Sequence, residues 1–177
     1  MTSPAALTLR DCRPEDDDAV QAIYAHYVRH SLATFEETVP TLEEMTRRRC
    51  AIENVGNPFI VAEVDGRVAG YAYAGPFRAR SAYRYTLENS IYVSPNATGK
   101  GLGKALLKVL IGRCQTQGCR QMLAVIGDSD NQASIRLHGK FGFERVGLLK
   151  SVGFKFDRWV DAVIMQRQLG EGDGAKP

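Results

Sequence analysis

Seven strand-like and four helix-like segments, taken in chain order, predict a mixed α/β fold with helices on both faces of one sheet. Three observations carry that expectation. The order runs strand, helix, helix, three strands, helix, strand, helix, two strands. The run Gln121–Ile126 is almost continuously apolar, as a central strand buried on both faces is. The helical pattern Gly101–Thr116 begins directly at a glycine-rich turn that closes a strand.

Leu7–Cys12 alternates apolar and polar residues and reads as the first strand. Pro14 opens a helix with Glu15, Asp16, Asp17 and Asp18 in its first turn, where the helix dipole favours acids. Val20, Ile23, Tyr24, Tyr27 and Val28 form its apolar stripe. A polar link, Thr34–Pro40, leads to a second helix over Leu42–Asn54, with Thr41 as N-cap and Glu44 completing a capping box. Phe59–Val64 and Arg67–Gly75 flank Asp65-Gly66, the signature of a hairpin with a type I′ turn. A strand over Arg84–Val93 feeds the glycine turn. The helix after that turn should bury Leu102, Ala105, Leu106, Val109 and Leu110. A short helix, Asn131–Phe141, ends at Gly142, a good C-cap. Phe143–Leu149 and Trp159–Gln166 read as the last strands, with Trp159 a core residue. Residues 1–169 form one domain on this reading, and 170–177 a disordered tail.

With 177 residues the chain is long enough for one adequate core. A net charge of +3 is too mild to argue for nucleic acid or a membrane surface. No apolar run approaches the ~20 residues that span a bilayer, and Met1–Ala6 does not resemble a secretory signal. Cys12, Cys50, Cys114 and Cys119 have neither CxxC nor zinc spacing, which suits reduced thiols in the cytoplasm. The only histidines are His26, His30 and His138, so a metal site is not expected.

The segment Val93–Leu107 carries the strongest chemical signal. Small residues at Gly99, Gly101 and Gly103 deliver backbone N–H groups to a helix N-terminus, a recipe for holding phosphate. Lys100, Lys104 and Lys108 recur every four residues and share one face. Cations there repel each other and oppose the dipole, and a bound polyanion removes both penalties. A Walker A loop requires glycine where Thr98 stands and Ser or Thr where Ala105 stands. The dinucleotide fingerprint from Gly99 lands on Lys104, and from Gly101 on Leu106. The plainer alternative is a tight turn into a helix with solvated lysines.

These residues resemble the GCN5-related N-acetyltransferase (GNAT) family. Its Q/R-x-x-G-x-G/A pattern matches Thr98-Gly99-Lys100-Gly101-Leu102-Gly103, with Thr98 departing at the first position. A second signature matches Asn131, His138 and Gly142-Phe143. The resemblance covers nearly the whole chain and implies the GNAT fold: a twisted, mostly antiparallel mixed sheet of about seven strands flanked by about four helices. From residue 20 to 166 the chain is most similar to the phosphinothricin N-acetyltransferase group, which includes enzymes for methionine sulfoximine and arsinothricin. Val61–Gly70, Tyr73–Tyr83, Glu88, Ile91–Pro95, Ala124–Gly127, Gly153–Lys155, Trp159 and Asp161 carry that likeness.

The resemblance implies acetyl-CoA as co-substrate and no metal. Ile91, Tyr92 and Val93 would offer backbone hydrogen bonds to the pantetheine and acetyl carbonyl. Thr98, Gly99, Lys100, Gly101, Leu102, Gly103 and Lys104 would hold the pyrophosphate, with Asn131 and Ser134 near the pantetheine arm. An α-ammonium must lose a proton before it attacks, and Glu88 is the first candidate base; pairing with Arg84 is its alternative fate. His138 occupies the position of a tyrosine that protonates the departing thiolate in many relatives; it could equally be the base, or only pack the cofactor. Arg78, Arg80 and Arg84, with Tyr83, suit the anionic groups of a glutamate-like amino acid, though a solvated basic loop has the same composition. Phe35 would line that pocket from the far side, and Gly153–Trp159 from a second subunit, because the group resembles homodimers. A peptide N-acetyltransferase and a non-catalytic acetyl-CoA sensor are the competing functions.

Overall fold

The computed structural model describes residues 6–177. One seven-stranded sheet runs in the order β1-β2-β3-β4-β5-β7-β6, from β1 (Leu7–Asp11), β2 (Phe59–Val64), β3 (Arg67–Pro76), β4 (Thr86–Val93), β5 (Gln121–Gly127), β6 (Glu144–Lys155) and β7 (Arg158–Gln168). All neighbours are antiparallel except β4 and β5. Helices α1 (Asp17–His30) and α2 (Leu42–Asn54) cover one face, over Val20, Val28, Met45, Val61 and Tyr71. On the other face α3 (Leu102–Thr116) and α4 (Gln132–Lys140) pack beside Ile60, Ala72, Leu87 and Met122.

The local chemistry explains most boundaries. Asp65 and Gly66 have φ of 49° and 76°, the left-handed pair a type I′ turn demands. Thr41 caps α2 by accepting the Glu44 N–H at 3.2 Å, but the reciprocal half of the capping box is missing. The Glu44 carboxylate turns instead to Arg47 and Arg48. A 3₁₀ turn over Ser81–Tyr83 delays β4, so Arg84 precedes the strand rather than beginning it. On α3 the buried side is Leu102, Leu106, Leu107, Leu110, Ile111 and Cys114, whereas Ala105 and Val109 are only half-buried. The helix presents a broader apolar arc than its first turn suggests.

The final hairpin departs furthest from expectation. β6 and β7 pair from Glu144 to Lys155 through two register shifts and close on Phe156-Asp157, both at positive φ without a glycine. Asp161 accepts the Ser151 N–H at 2.8 Å and holds one bulge in place. Trp159 is no core residue: it is 65% exposed, with Phe154 edge-on at 5.2 Å. β6 is the sheet edge, so no further strand pairs with it among the described residues. Beyond β7, Leu169 is buried and Arg120 donates to the Glu171 carboxylate and the Lys176 carbonyl.

Candidate active site

The parallel ladder between β4 and β5 stops early. Thr86 to Asn89 pair with Gln121 to Ala124, and beyond that point the two strands part. Asn89 is buried at the apex. Its amide nitrogen donates to the Leu123 carbonyl at 2.8 Å, substituting a side chain for the next rung. A cleft of about 470 Å³ opens in the V, lined by Ser90–Val93 of β4, Ala124–Gly127 of β5 and the start of α3. With β5 diverging, the side of Ser90–Val93 that faces it has no strand partner. The Val93 carbonyl is already occupied, accepting from the Tyr27 hydroxyl at 2.7 Å.

At one end of the cleft lies the N-terminus of α3. Gly99 and Gly101 have φ of 76° and 80°, and an added Cβ at either would meet nothing within 4 Å. Glycine serves here for backbone conformation and for an unobstructed surface over the amides. No side chain caps the helix, and Thr98 turns its hydroxyl back to the Pro95 carbonyl at 3.1 Å. No carboxylate pairs with Lys100, Lys104 or Lys108 among the described residues. Orphan N–H groups beneath unpaired lysines fit a diphosphate.

Asn131 caps α4 from the opposite wall, accepting the Ser134 N–H at 3.2 Å, and both residues line the cleft. His138, one turn further, is 4% exposed. Its Nδ1 stands 2.9 Å from the Ser134 carbonyl and its Nε2 3.0 Å from the Asn89 side-chain oxygen. The Asn89 amide is oriented by its bond to Leu123, so both ring nitrogens face acceptors. A neutral imidazole donates to only one of them. Burial lowers the His138 pKa, and the Ser134 carbonyl opposes that shift.

Glu88 points the other way. Strand alternation puts Leu87, Asn89, Ile91 and Val93 on the α3/α4 face and Glu88, Ser90 and Tyr92 on the α1/α2 face. Glu88 and His138 thus flank the apex of the V from opposite faces of the sheet. No ion pair reaches Glu88 among the described residues, and burial raises its carboxyl pKa. Arg84 is elsewhere engaged, 4.5 Å over the Tyr85 ring and donating to the Ser81 carbonyl.

The other predicted residues are less centrally placed. Arg78, Arg80, Tyr83 and Arg84 lie on the β3–β4 connection and, like Lys100, do not line the cleft. The ladder puts Pro76 opposite Leu87 and Gly75 opposite Glu88, so this connection leaves the sheet beside Glu88. Arg78 stacks 5.1 Å from the Phe77 ring. Phe35 lies against Gly153 of its own chain. Asn89 was not foreseen; an asparagine in a strand otherwise apolar on that side is the signal that could have marked it.

A parallel pair of strands prised apart, ending at a lysine-rich helix terminus without a cap, suits an extended ligand with a diphosphate at one end, as a coenzyme A-dependent acyltransferase requires. Residues 20–143 match the acetyltransferase (GNAT) family. The chain belongs to that family, and acetyl-CoA is its acetyl donor. It is 51% identical over 172 residues to the phosphinothricin N-acetyltransferase of Alcaligenes faecalis, covering 97% of this chain and 87% of that one. To the L-methionine sulfoximine/L-methionine sulfone acetyltransferase of Salmonella typhimurium it is 39% identical, covering 93% and 96%. The crystal structure of a phosphinothricin acetyltransferase from Sinorhizobium meliloti in complex with acetyl-CoA superimposes with a TM-score of 0.94 at 50% identity, covering 97% and 92%.

Proposed function

We propose that the enzyme acetylates the α-amino group of a small anionic glutamate analogue of the phosphinothricin, methionine sulfoximine or arsinothricin type, and so confers resistance to a toxic amino acid. The observation that carries this reading is Glu88, a half-buried carboxyl without an ion partner among the described residues, on a sheet face bordered by an arginine-rich connection. Glu88 takes the proton from the acceptor's ammonium. Arg78, Arg80 and Arg84, with Tyr83 and Phe35, orient the acceptor's anionic groups and stem. The amine then attacks directly in a ternary complex, forming the N–C bond as the C–S bond breaks. The sulfur collects the second proton that the nitrogen sheds, and His138, lining the cleft with both ring nitrogens engaged, packs against the donor. Acetyl-CoA contributes the activated carbonyl. Ile91, Tyr92, residues 98–104, Asn131 and Ser134 hold it, while Val93 frames the strand with its carbonyl committed to Tyr27.

Steady-state kinetics with phosphinothricin, methionine sulfoximine, arsinothricin, glutamate and a peptide with a free N-terminus test the proposal. Turnover of one of the three analogues well above glutamate and the peptide is expected. Replacing Arg78 and Arg80 together by Ala should raise that acceptor's KM about tenfold or more, the scale of a lost charge-assisted hydrogen bond, and leave the acetyl-CoA KM in place. Peptide acetylation alone, or acetyl-CoA binding without turnover, overturns it.

We infer further that two copies associate through the outer side of the last hairpin. Val146, Leu149, Val152, Phe154, Phe156 and Trp159 are each 49–65% exposed there, along an uncovered edge strand. Apolar exposure of that extent on one element marks an association surface. Sedimentation should give a dimer, and Trp159→Asp a monomer; a monomeric parent protein rejects the inference. The four cysteines are all unpaired, which supports a reducing, cytoplasmic setting. We take residues 1–169 as one catalytic domain, with 170–177 outside it.

A further inference from the structure

The mechanism makes no use of Lys155, although it is among the most deeply buried side chains in the protein. It is 2% exposed and forms no salt bridge among the described residues. Its ammonium donates instead to two backbone carbonyls, Ser31 and Thr34, each at 2.8 Å. Ser31 is the residue that ends α1, and a cation suits a helix C-terminus. Burying an ammonium is expensive, and an apolar side chain of the same length would fill the space at less cost. What the ammonium adds is a fixed distance between the two ends of Ser31-Leu32-Ala33-Thr34.

That short segment is held at other points too. Two residues before Lys155 on β6, an added Cβ at Gly153 would come within 2.8 to 3.1 Å of three ring atoms of Phe35. The ring therefore rests on a surface that only glycine leaves clear. The Thr34 hydroxyl meets the Tyr24 phenol at 2.8 Å. Ala33 lines the cleft, and the Leu32 carbonyl lies 2.2 Å from where a Gly127 Cβ would stand. On β6 the neighbours Val152 and Phe154 face outward while Gly153 and Lys155 face the segment.

We propose that Gly153 and Lys155 act together as a clamp on the α1–α2 connection, and that Lys155 is thereby a positioning residue for acceptor binding. Gly153 seats the Phe35 ring and Lys155 fixes the backbone on which it is carried. Gly153 and Lys155 themselves lie outside the donor cleft, which the clamped segment meets through Ala33. This inference rests on the reading of Phe35 as an acceptor-pocket residue.

The test is Lys155→Met in the full chain, read by amide hydrogen exchange and by kinetics with phosphinothricin and acetyl-CoA. Amides of residues 32–36 should exchange about tenfold faster or more. The phosphinothricin KM should rise about tenfold, as expected for losing a charge-assisted contact, while the acetyl-CoA KM stays within about twofold. Unchanged exchange in the segment overturns the clamp, and so does an equal rise in both KM values. Faster exchange with an unchanged phosphinothricin KM leaves the clamp standing and rejects Phe35 as an acceptor residue. Should Lys155→Met fail to fold, Gly153→Ala must produce the same split between the two KM values by displacing the ring; no split there also overturns the proposal.

Discussion

Glu88→Gln should lower kcat by a factor of about 10²–10⁴, the usual contribution of a positioned general base, while the acetyl-CoA dissociation constant stays unchanged. The substitution keeps the size of the side chain and removes only its ability to take a proton. Because burial holds the Glu88 carboxyl above the ordinary glutamate range, the parent enzyme's acid limb should fall at a higher pH than an exposed glutamate would set. The stability consequence has the opposite sign. A carboxyl whose pKa is raised on folding binds protons more tightly in the folded chain, so its ionisation costs stability. That cost is absent below the unfolded-state pKa, grows as pH rises through the folded-state value, and is fully present above it. Glu88→Gln should therefore melt at a higher temperature than the parent at neutral pH and at the same temperature in acid. Unimpaired turnover in the glutamine variant would remove Glu88 from the chemistry.

Arg49→Ala should cause the largest loss of stability, about 3–5 kcal/mol, as when one member of a buried ion pair is removed. Arg49 and Asp17 are 6% and 8% exposed, joined through Nε–Oδ1 at 2.7 Å and Nη2–Oδ2 at 3.1 Å. Thr46 donates a further bond to the same carboxylate at 2.8 Å. Deleting the guanidinium leaves a buried carboxylate with its main partner gone. For a chain of this size the melting temperature should drop by roughly 10 °C, measurable by calorimetry. Replacing both partners by apolar residues of similar volume should restore much of the loss, because no orphaned charge then remains. A fall smaller than ~1 kcal/mol in Arg49→Ala would show that the pair behaves as a surface contact.

What could be read from the sequence was local. α2 and β2 occupy Leu42–Asn54 and Phe59–Val64, the ranges that the Thr41 cap and the Asp65-Gly66 turn set. The glycine turn announced itself because positive φ and free amides leave a mark in residue type. Long-range polar geometry leaves no such mark. Asn89 and His138 meet across 49 residues, and neither has a spacing that points to the other. Lys155 sits in an otherwise amphipathic strand, where a lysine is expected to face water. Trp159 reads as core because size and apolarity do not distinguish an interior from an exposed last hairpin at the sheet edge. The turn Phe156-Asp157 was missed for want of a glycine, and with it the full length of the last hairpin.

The opposite orientation of Glu88 and His138 about the apex of the V has an evolutionary side. On the proposed reading of Glu88, acceptor recognition falls mainly on one face of the sheet and the pyrophosphate cradle on the other, although Tyr27 and Ala33 also reach the donor cleft. Side chains on the α1/α2 face can be exchanged to admit a new amine while the amides, glycines and lysines that grip the donor stay as they are. Such a wall makes substrate range cheap to alter and donor affinity hard to lose. A single scaffold can then diversify across toxic amino acids by a few changes in the α1–α2 and β3–β4 connections alone.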